Sequence, residues 1–215
     1  YLRDLADAGV PTIPSYFFEP GDRVRLPKGE VVVKPAIGAG SIDTGRFVDP
    51  AAARAHVAAL QASGRTALVQ PYDARVEQGE TALVFLGGRQ SHAFTKGPML
   101  PPQGESPALH KSGTYVEESL APADPDFAMW DVGVAALAAA ARHLGIETSE
   151  LLYARVDLIG DAEEPLLLEF EVVEPGLGWC QLDERTRELQ QRAFAVEVES
   201  ALERLGLGPL SHRRP

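Results

Sequence analysis

The stretch Tyr153-Ala154-Arg155-Val156-Asp157-Leu158-Ile159-Gly160-Asp161-Ala162-Glu163-Glu164-Pro165-Leu166-Leu167-Leu168-Glu169-Phe170-Glu171-Val172-Val173 decides how this sequence is read. Two apolar-rich runs, Leu151–Ile159 and Leu166–Val173, flank a polar segment with turn residues, which is the composition of a β-hairpin. Side chains alternate faces along a strand. Arg155 and Asp157 therefore share one face, as do Glu169 and Glu171 on the partner strand. With the turn centred near Glu163, Asp157 lies opposite Glu169 and Arg155 opposite Glu171. Val156, Leu158, Leu168 and Phe170 then point the other way, into a core.

Like charges facing each other across a sheet are destabilising. Three carboxylates in that position call for a positive partner, and a hard cation with oxygen ligands supplies it. Magnesium bridging phosphates is one reading. The other is a solvated polar face whose acids pair with Arg155 and nearby lysines.

Upstream, Glu30–Lys34 reads as a short buried β-branched strand, followed by the small-residue loop Pro35-Ala36-Ile37-Gly38-Ala39-Gly40-Ser41. It is not a Walker A loop, because no Gly-Lys-Ser/Thr closes it. It is not the dinucleotide fingerprint, because Gly38 and Gly40 do not open a helix. Its unhindered backbone N–H groups can close over phosphates, with Lys34 as a point charge. The next strand ends in Leu68-Val69-Gln70-Pro71-Tyr72. Pro71 has no N–H, so Gln70 and Tyr72 are the residues that would offer backbone groups to a planar base. Glu77 and Glu80 follow, within reach of ribose hydroxyls.

Between these segments, glycine and proline punctuate an alternation of helices and hairpins. A short helix ends near Gly9, and Ile13–Phe18 is extended. Asp49-Pro50 starts a helix over Ala51–Ala62 that Gly64 stops. Thr81–Leu86 and Gln90–Thr95 form a hairpin through Gly87-Gly88. Gly97–Ala123 reads as a long loop with little regular structure. Helices over Phe127–Leu144 and Asp183–Leu205 end at Gly145 and Gly206. Most turns are antiparallel, which makes the fold class α+β.

Composition narrows the function. The chain has 215 residues, 45% apolar and 24% charged, and no apolar run approaches a membrane span. A net charge of −11 argues against a nucleic-acid or anionic-membrane binder. The single Cys180 forms no disulfide framework and no cysteine metal site, which fits a cytoplasmic setting.

Taken in order, VVVKPAIGAG (31–40), VQPY (69–72), GETALV (79–84), HAFTKGP (92–98), ARVDL (154–158) and LEFEVVEP (168–175) resemble the ATP-grasp superfamily. The likeness is to its glutathione synthetase and D-alanine–D-alanine ligase branch, in particular the bacterial cyclo-ligase relatives. It implies two α+β subdomains, residues 1–70 and 71–215, with the nucleotide between them. It also implies cofactors ATP and magnesium, or manganese in its place. Lys34 would contact the α- or β-phosphate, and the loop through Gly38, Gly40 and Ser41 would cover the triphosphate. Gln70 and Tyr72 would hold adenine through their backbones, and Glu80, with Glu77 as second choice, the ribose.

By the same likeness Lys96 lies near phosphates or substrate, and Arg155 stabilises the transferring phosphoryl group. Asp157, Glu169 and Glu171 would bind the metal; many relatives have Asn at the position of Glu171, so this chain carries an extra negative charge there. The resemblance implies an ATP-dependent carboxylate–amine ligase acting through an acyl phosphate. A small-molecule kinase and a non-catalytic nucleotide-binding regulatory module are the alternatives. The expected partners are small-molecule carboxylate and amine substrates and, in self-association, a homo-oligomer. Such ligases carry a further domain ahead of this region. The start at Tyr1, without an initiator Met, is expected to fall in the linker helix after it, so that the domain is absent from these residues.

Overall fold

The computed structural model describes residues 1–38, 41–98 and 119–208. In chain order the elements are α1 (Leu2–Asp7), β1 (Tyr16–Phe18), β2 (Val31–Pro35), β3 (Gly45–Phe47), α2 (Pro50–Ala62), β4 (Ala67–Pro71), β5 (Glu80–Leu86), β6 (Arg89–Lys96), β7 (Leu120–Pro122), α3 (Phe127–Leu144), β8 (Tyr153–Ile159), β9 (Leu166–Glu171) and α4 (Glu184–Arg204). They form two compact units. The smaller holds residues 13–79 and 96–98 with Ser119 in its described part; the larger holds Tyr1–Thr12, Glu80–Thr95 and 120–208.

The smaller unit is an antiparallel sheet in the order β1-β4-β2-β3. One face is apolar because alternate residues are: Val31, Val33, Ala67 and Val69 pack with Phe18 against Ala53, Val57 and Leu60 of α2. Asp49 caps that helix by accepting from the N–H groups of Ala51 and Ala52 at 2.9 and 3.2 Å, with Pro50 in its first turn. The chain leaves this unit after Gly79 rather than at residue 70. Residues 72–79 stay with it because the Tyr72 N–H donates to the Glu30 carbonyl at 2.8 Å and Glu77 pairs with Arg46.

The larger unit is a sheet in the order β7-β6-β5-β8-β9. Its central strand is covered on both faces, and Ala82, Leu83, Val84 and Phe85 are all fully buried. On one face α3 lies close: an added Cβ on Gly133 would stand 2.8 Å from Leu83, and Trp130 meets Phe85 edge-on at 5.6 Å. On the other face Ala82, Val84, Leu86 and Phe94 pack with Tyr153, Trp179 and Phe194, the last from α4. Helix α1 belongs to this unit, since it packs on α3 and the Pro11 carbonyl accepts from the N–H of Leu167 at 2.9 Å.

The β5–β6 turn uses Gly87 and Gly88 at φ 52° and 78°, as a two-residue hairpin requires. The stretch expected to be an irregular loop contains the short strand β7 in its described part; residues 99–118 lie outside the described residues. Three residues are too few for a periodic pattern to register.

The β8–β9 register matches the expectation from Asp157 outward to the strand ends: Arg155 faces Glu171, Val156 faces Phe170 and Asp157 faces Glu169. Nearer the turn it slips by one, so that Leu158 faces Leu167 and Ile159 faces Leu166. Leu168 is the extra residue of a bulge, not the partner of Leu158. Bulges of this kind bend a strand and re-aim the side chains beside them. Both Leu167 and Leu168 are buried as a result.

Candidate functional site

On β5 and β8, Ala82 pairs with Asp157 and Val84 with Arg155, so one face of the larger sheet carries Glu80, Ala82, Val84, Arg155, Asp157, Glu169 and Glu171. The end near Leu86 is apolar and covered. The other end is acidic. Glu80, Asp157 and Glu169 each place a carboxylate oxygen within 4.8 Å of the other two. Asp157 is fully buried, and Glu80 and Glu169 are half-buried.

Arg155 grips this group along its own strand. Its Nε donates to Asp157 Oδ1 at 2.9 Å and its NH2 to Oδ2 at 2.9 Å. NH2 also pairs with Glu171 Oε2 at 3.0 Å, and NH1 donates to the Gly176 carbonyl at 3.2 Å. The extra charge of Glu171 is thereby offset within the chain. Glu171, read from the sequence as a metal ligand, stands on the arginine, and Glu80, read as a ribose ligand, stands with Asp157 and Glu169. All three clustered groups are hard oxygen donors at a separation a divalent cation can bridge, so the residues fit magnesium.

Two further features border the cluster. Tyr1 is 53% exposed as a residue, but its hydroxyl bonds to the backbone of Phe170, and desolvation there first, then the charge of Glu169, pushes its pKa up. Beyond β9 the chain makes a tethered arch. Glu174 sits at φ 46° with its N–H donating to the Tyr153 hydroxyl at 3.3 Å. The next carbonyls, of Gly176 and Leu177, accept from Arg155 at 3.2 Å and from His92 Nε2 at 2.6 Å.

In the smaller unit the face away from α2 carries Glu30, Val32, Lys34, Arg46, Leu68, Gln70 and Tyr72, as the pairings Val32–Arg46, Val32–Gln70 and Lys34–Leu68 require. Lys34 is half-buried on this face. Gln70 is buried, and its amide donates to Ser15 Oγ at 2.9 Å. The N–H of Tyr72, expected to hold adenine, is already spent on the Glu30 carbonyl. Gln70 pairs with Val32 in the same ladder. Of the backbone groups expected to face adenine, the Tyr72 N–H is thus engaged within the sheet, where β4 has β1 and β2 on its two sides.

Glu77 is engaged as well. It accepts from the Tyr72 hydroxyl at 2.5 Å and from Arg46 at 3.2 Å, and these bonds hold its carboxyl below the usual range. Burial, then the bond to Glu77, pushes the Tyr72 hydroxyl up to about 12. Arg46 lies 3.6 Å over the Tyr72 ring and also pairs with Glu30. The sequence reading missed Arg46, because β3 is too short to show alternation. Gly38 and Ser41 flank the small-residue loop, with Ser41 at φ 56°; Gly40 lies outside the described residues. Lys96 ends β6 and is buried, and its carbonyl passes where a side chain on Gly79 would stand, 2.5 Å away.

This arrangement has counterparts among known proteins. No family model matches the chain. It is 39% identical over 191 residues to the cycloserine biosynthesis protein DcsG of Streptomyces lavendulae, which covers 82% of this chain and 62% of that protein. The crystal structure of D-cycloserine synthetase DcsG matches with a TM-score of 0.73 and 34% identity, over 92% of this chain and 69% of that one. The chain belongs to the ATP-grasp ligase family.

More distant ATP-grasp folds agree. D-alanine–D-alanine ligase from Bacillus anthracis, complexed with ATP, has a TM-score of 0.61 at 14% identity, over 94% of this chain and 62% of that one. The ATP-grasp ligase PsnB, complexed with minimal precursor, Mg and ADP, has a TM-score of 0.53 at 15% identity, over 91% of this chain and 57% of that one. This chain thus spans 62% of the length of the curated relative it matches. Among the described residues, no helix is long and apolar enough to cross a membrane.

Proposed function

We propose that this chain is the nucleotide-binding part of a cytoplasmic, ATP- and magnesium-dependent carboxylate–amine ligase. The observation that carries the reading is the trio Glu80, Asp157 and Glu169, within 4.8 Å of one another beside the Arg155 guanidinium. Asp157 and Glu169 bind the metal, with Glu80 beside them and Glu171 on the arginine. Bound there, magnesium neutralises phosphate oxygens. Lys34, with the loop through Gly38, Gly40 and Ser41, receives the phosphates through a point charge and backbone N–H groups. Lys96 supplies a second buried cation. The polar face around Val32, Gln70 and Tyr72 receives the base, by side chains and apolar contact rather than by the Tyr72 N–H.

A carboxylate oxygen of the substrate attacks the γ-phosphorus of ATP and ADP leaves, which gives an acyl phosphate. The amine then attacks the acyl carbon, loses a proton and expels phosphate, leaving an amide. Arg155 is placed to stabilise negative charge as it develops, by electrostatic preorganisation and positioning without a protein nucleophile. The likeness to D-cycloserine synthetase supports an amine-type nucleophile. The test is product analysis with the full-length protein, Mg-ATP and carboxylate–amine pairs. ADP, phosphate and a joined product in equal amounts are expected. A phosphorylated acceptor with no free phosphate would make the protein a kinase, and tight ATP binding without turnover would make it a regulatory module.

A further inference from the structure

We infer that His92 is a positioning residue for Arg155, acting through the arch that follows β9. This rests on the proposed role of Arg155 in phosphoryl transfer. His92 lies on β6 and is buried. Its Nε2 donates to the Leu177 carbonyl at 2.6 Å, while the preceding carbonyl, of Gly176, accepts from Arg155 NH1 at 3.2 Å. Two consecutive peptide groups therefore join the imidazole to the guanidinium.

The imidazole is itself fixed. Ser91 Oγ lies 2.8 Å from Nδ1 and 2.7 Å from the Gln190 side-chain amide, and the ring packs on Trp179 with centroids 4.9 Å apart. The far foot of the arch is equally constrained. Gly178 takes φ 60°, and a Cβ there would stand 2.3 Å from the Phe94 ring. With Glu174 tied to Tyr153 at the near foot, the arch that carries the Gly176 carbonyl is held at both ends. A guanidinium already gripped by Asp157 and Glu171 gains a third fixed bond there, which sets its plane.

The experiment compares two amides in the full-length enzyme. His92→Gln places an N–H near the position of Nε2 and keeps the bond to Leu177, whereas His92→Asn is too short to reach. We expect His92→Gln to retain most of the activity. His92→Asn should lower kcat roughly ten- to hundredfold, the cost of a small misplacement of a catalytic group, with little change in KM for ATP. In an Arg155→Lys background, where the guanidinium fork is already gone, His92→Asn should cost little more. Equal losses in both backgrounds, equal losses for Gln and Asn, or unchanged kcat in His92→Asn would each overturn the inference. Should His92→Asn fail to fold, Gly178→Ala, which displaces the far foot of the arch, carries the same comparison. Wild-type enzyme without ATP turnover would overturn both the proposed function and this inference, whereas active wild type with any of the first three outcomes overturns this inference alone.

Discussion

The two sheets handle charge in opposite ways. In the larger unit the acids converge: Glu80, Asp157 and Glu169 crowd one end of a face whose other end is apolar, and Arg155 answers Asp157 and Glu171. In the smaller unit the charges interleave, with Arg46 set between Glu30 and Glu77 and lying over Tyr72. A network that alternates sign is complete as it stands. Three carboxylates that converge beside one guanidinium offer hard oxygen donors to a divalent cation. The comparison favours the larger unit as the place of the proposed metal.

That contrast breaks most visibly at Arg155. Its side chain is 5% exposed and Asp157 is 0% exposed, so Arg155→Ala takes a charged partner from a buried carboxylate. Removing one partner of such a pair costs about 3–5 kcal/mol. Magnesium should recover part of that loss by supplying positive charge beside Asp157. Chemical denaturation with and without magnesium checks both parts.

The smaller unit should respond weakly to the corresponding change. Asp49→Ala, which removes the cap of α2, is expected to cost about 1 kcal/mol. Arg46→Ala should cost about 0.5–1 kcal/mol, since its pairs are partly exposed and its stacking on Tyr72 is modest. Neither should alter the response to magnesium. A magnesium-dependent loss in Arg46→Ala would erase the distinction between the two sheets.

A gentler probe is pH. Burial lowers the pKa of His92, outweighing its bond to Leu177, so the folded state disfavours the charged ring. The unfolded chain then binds the proton more readily. The His92 contribution is present in full above the ordinary histidine value of about 6.5 and is lost as pH falls through the lower folded value. His92→Gln should flatten this part of the stability–pH curve, as thermal unfolding across that range would show.

What could be read from the sequence follows the reach of each signal. The facing of Arg155 with Glu171 and Asp157 with Glu169 was legible because strand alternation and a short turn fix it locally. The cap at Asp49 and the Gly87-Gly88 turn were legible for the same reason. The bulge at Leu168 was not, since a run of three leucines satisfies either register. Glu80 could not be placed with the acids without the β5–β8 pairing, which joins residues far apart in sequence. Nor could the loss of the Tyr72 N–H to Glu30 be seen, because it depends on β4 being interior rather than exposed.

The central claim is that the acidic end of the larger sheet binds the metal that accompanies ATP. Thermal unfolding of this chain with Mg-ATP, in wild type and Glu169→Gln, tests it most directly. Ligand at one hundred times its dissociation constant stabilises the folded form by about 2.7 kcal/mol. The account predicts a rise in Tm of several degrees for wild type that is largely lost in Glu169→Gln, with little change in Tm when no ligand is present. No rise in the wild type, or an undiminished rise in the variant, would contradict it.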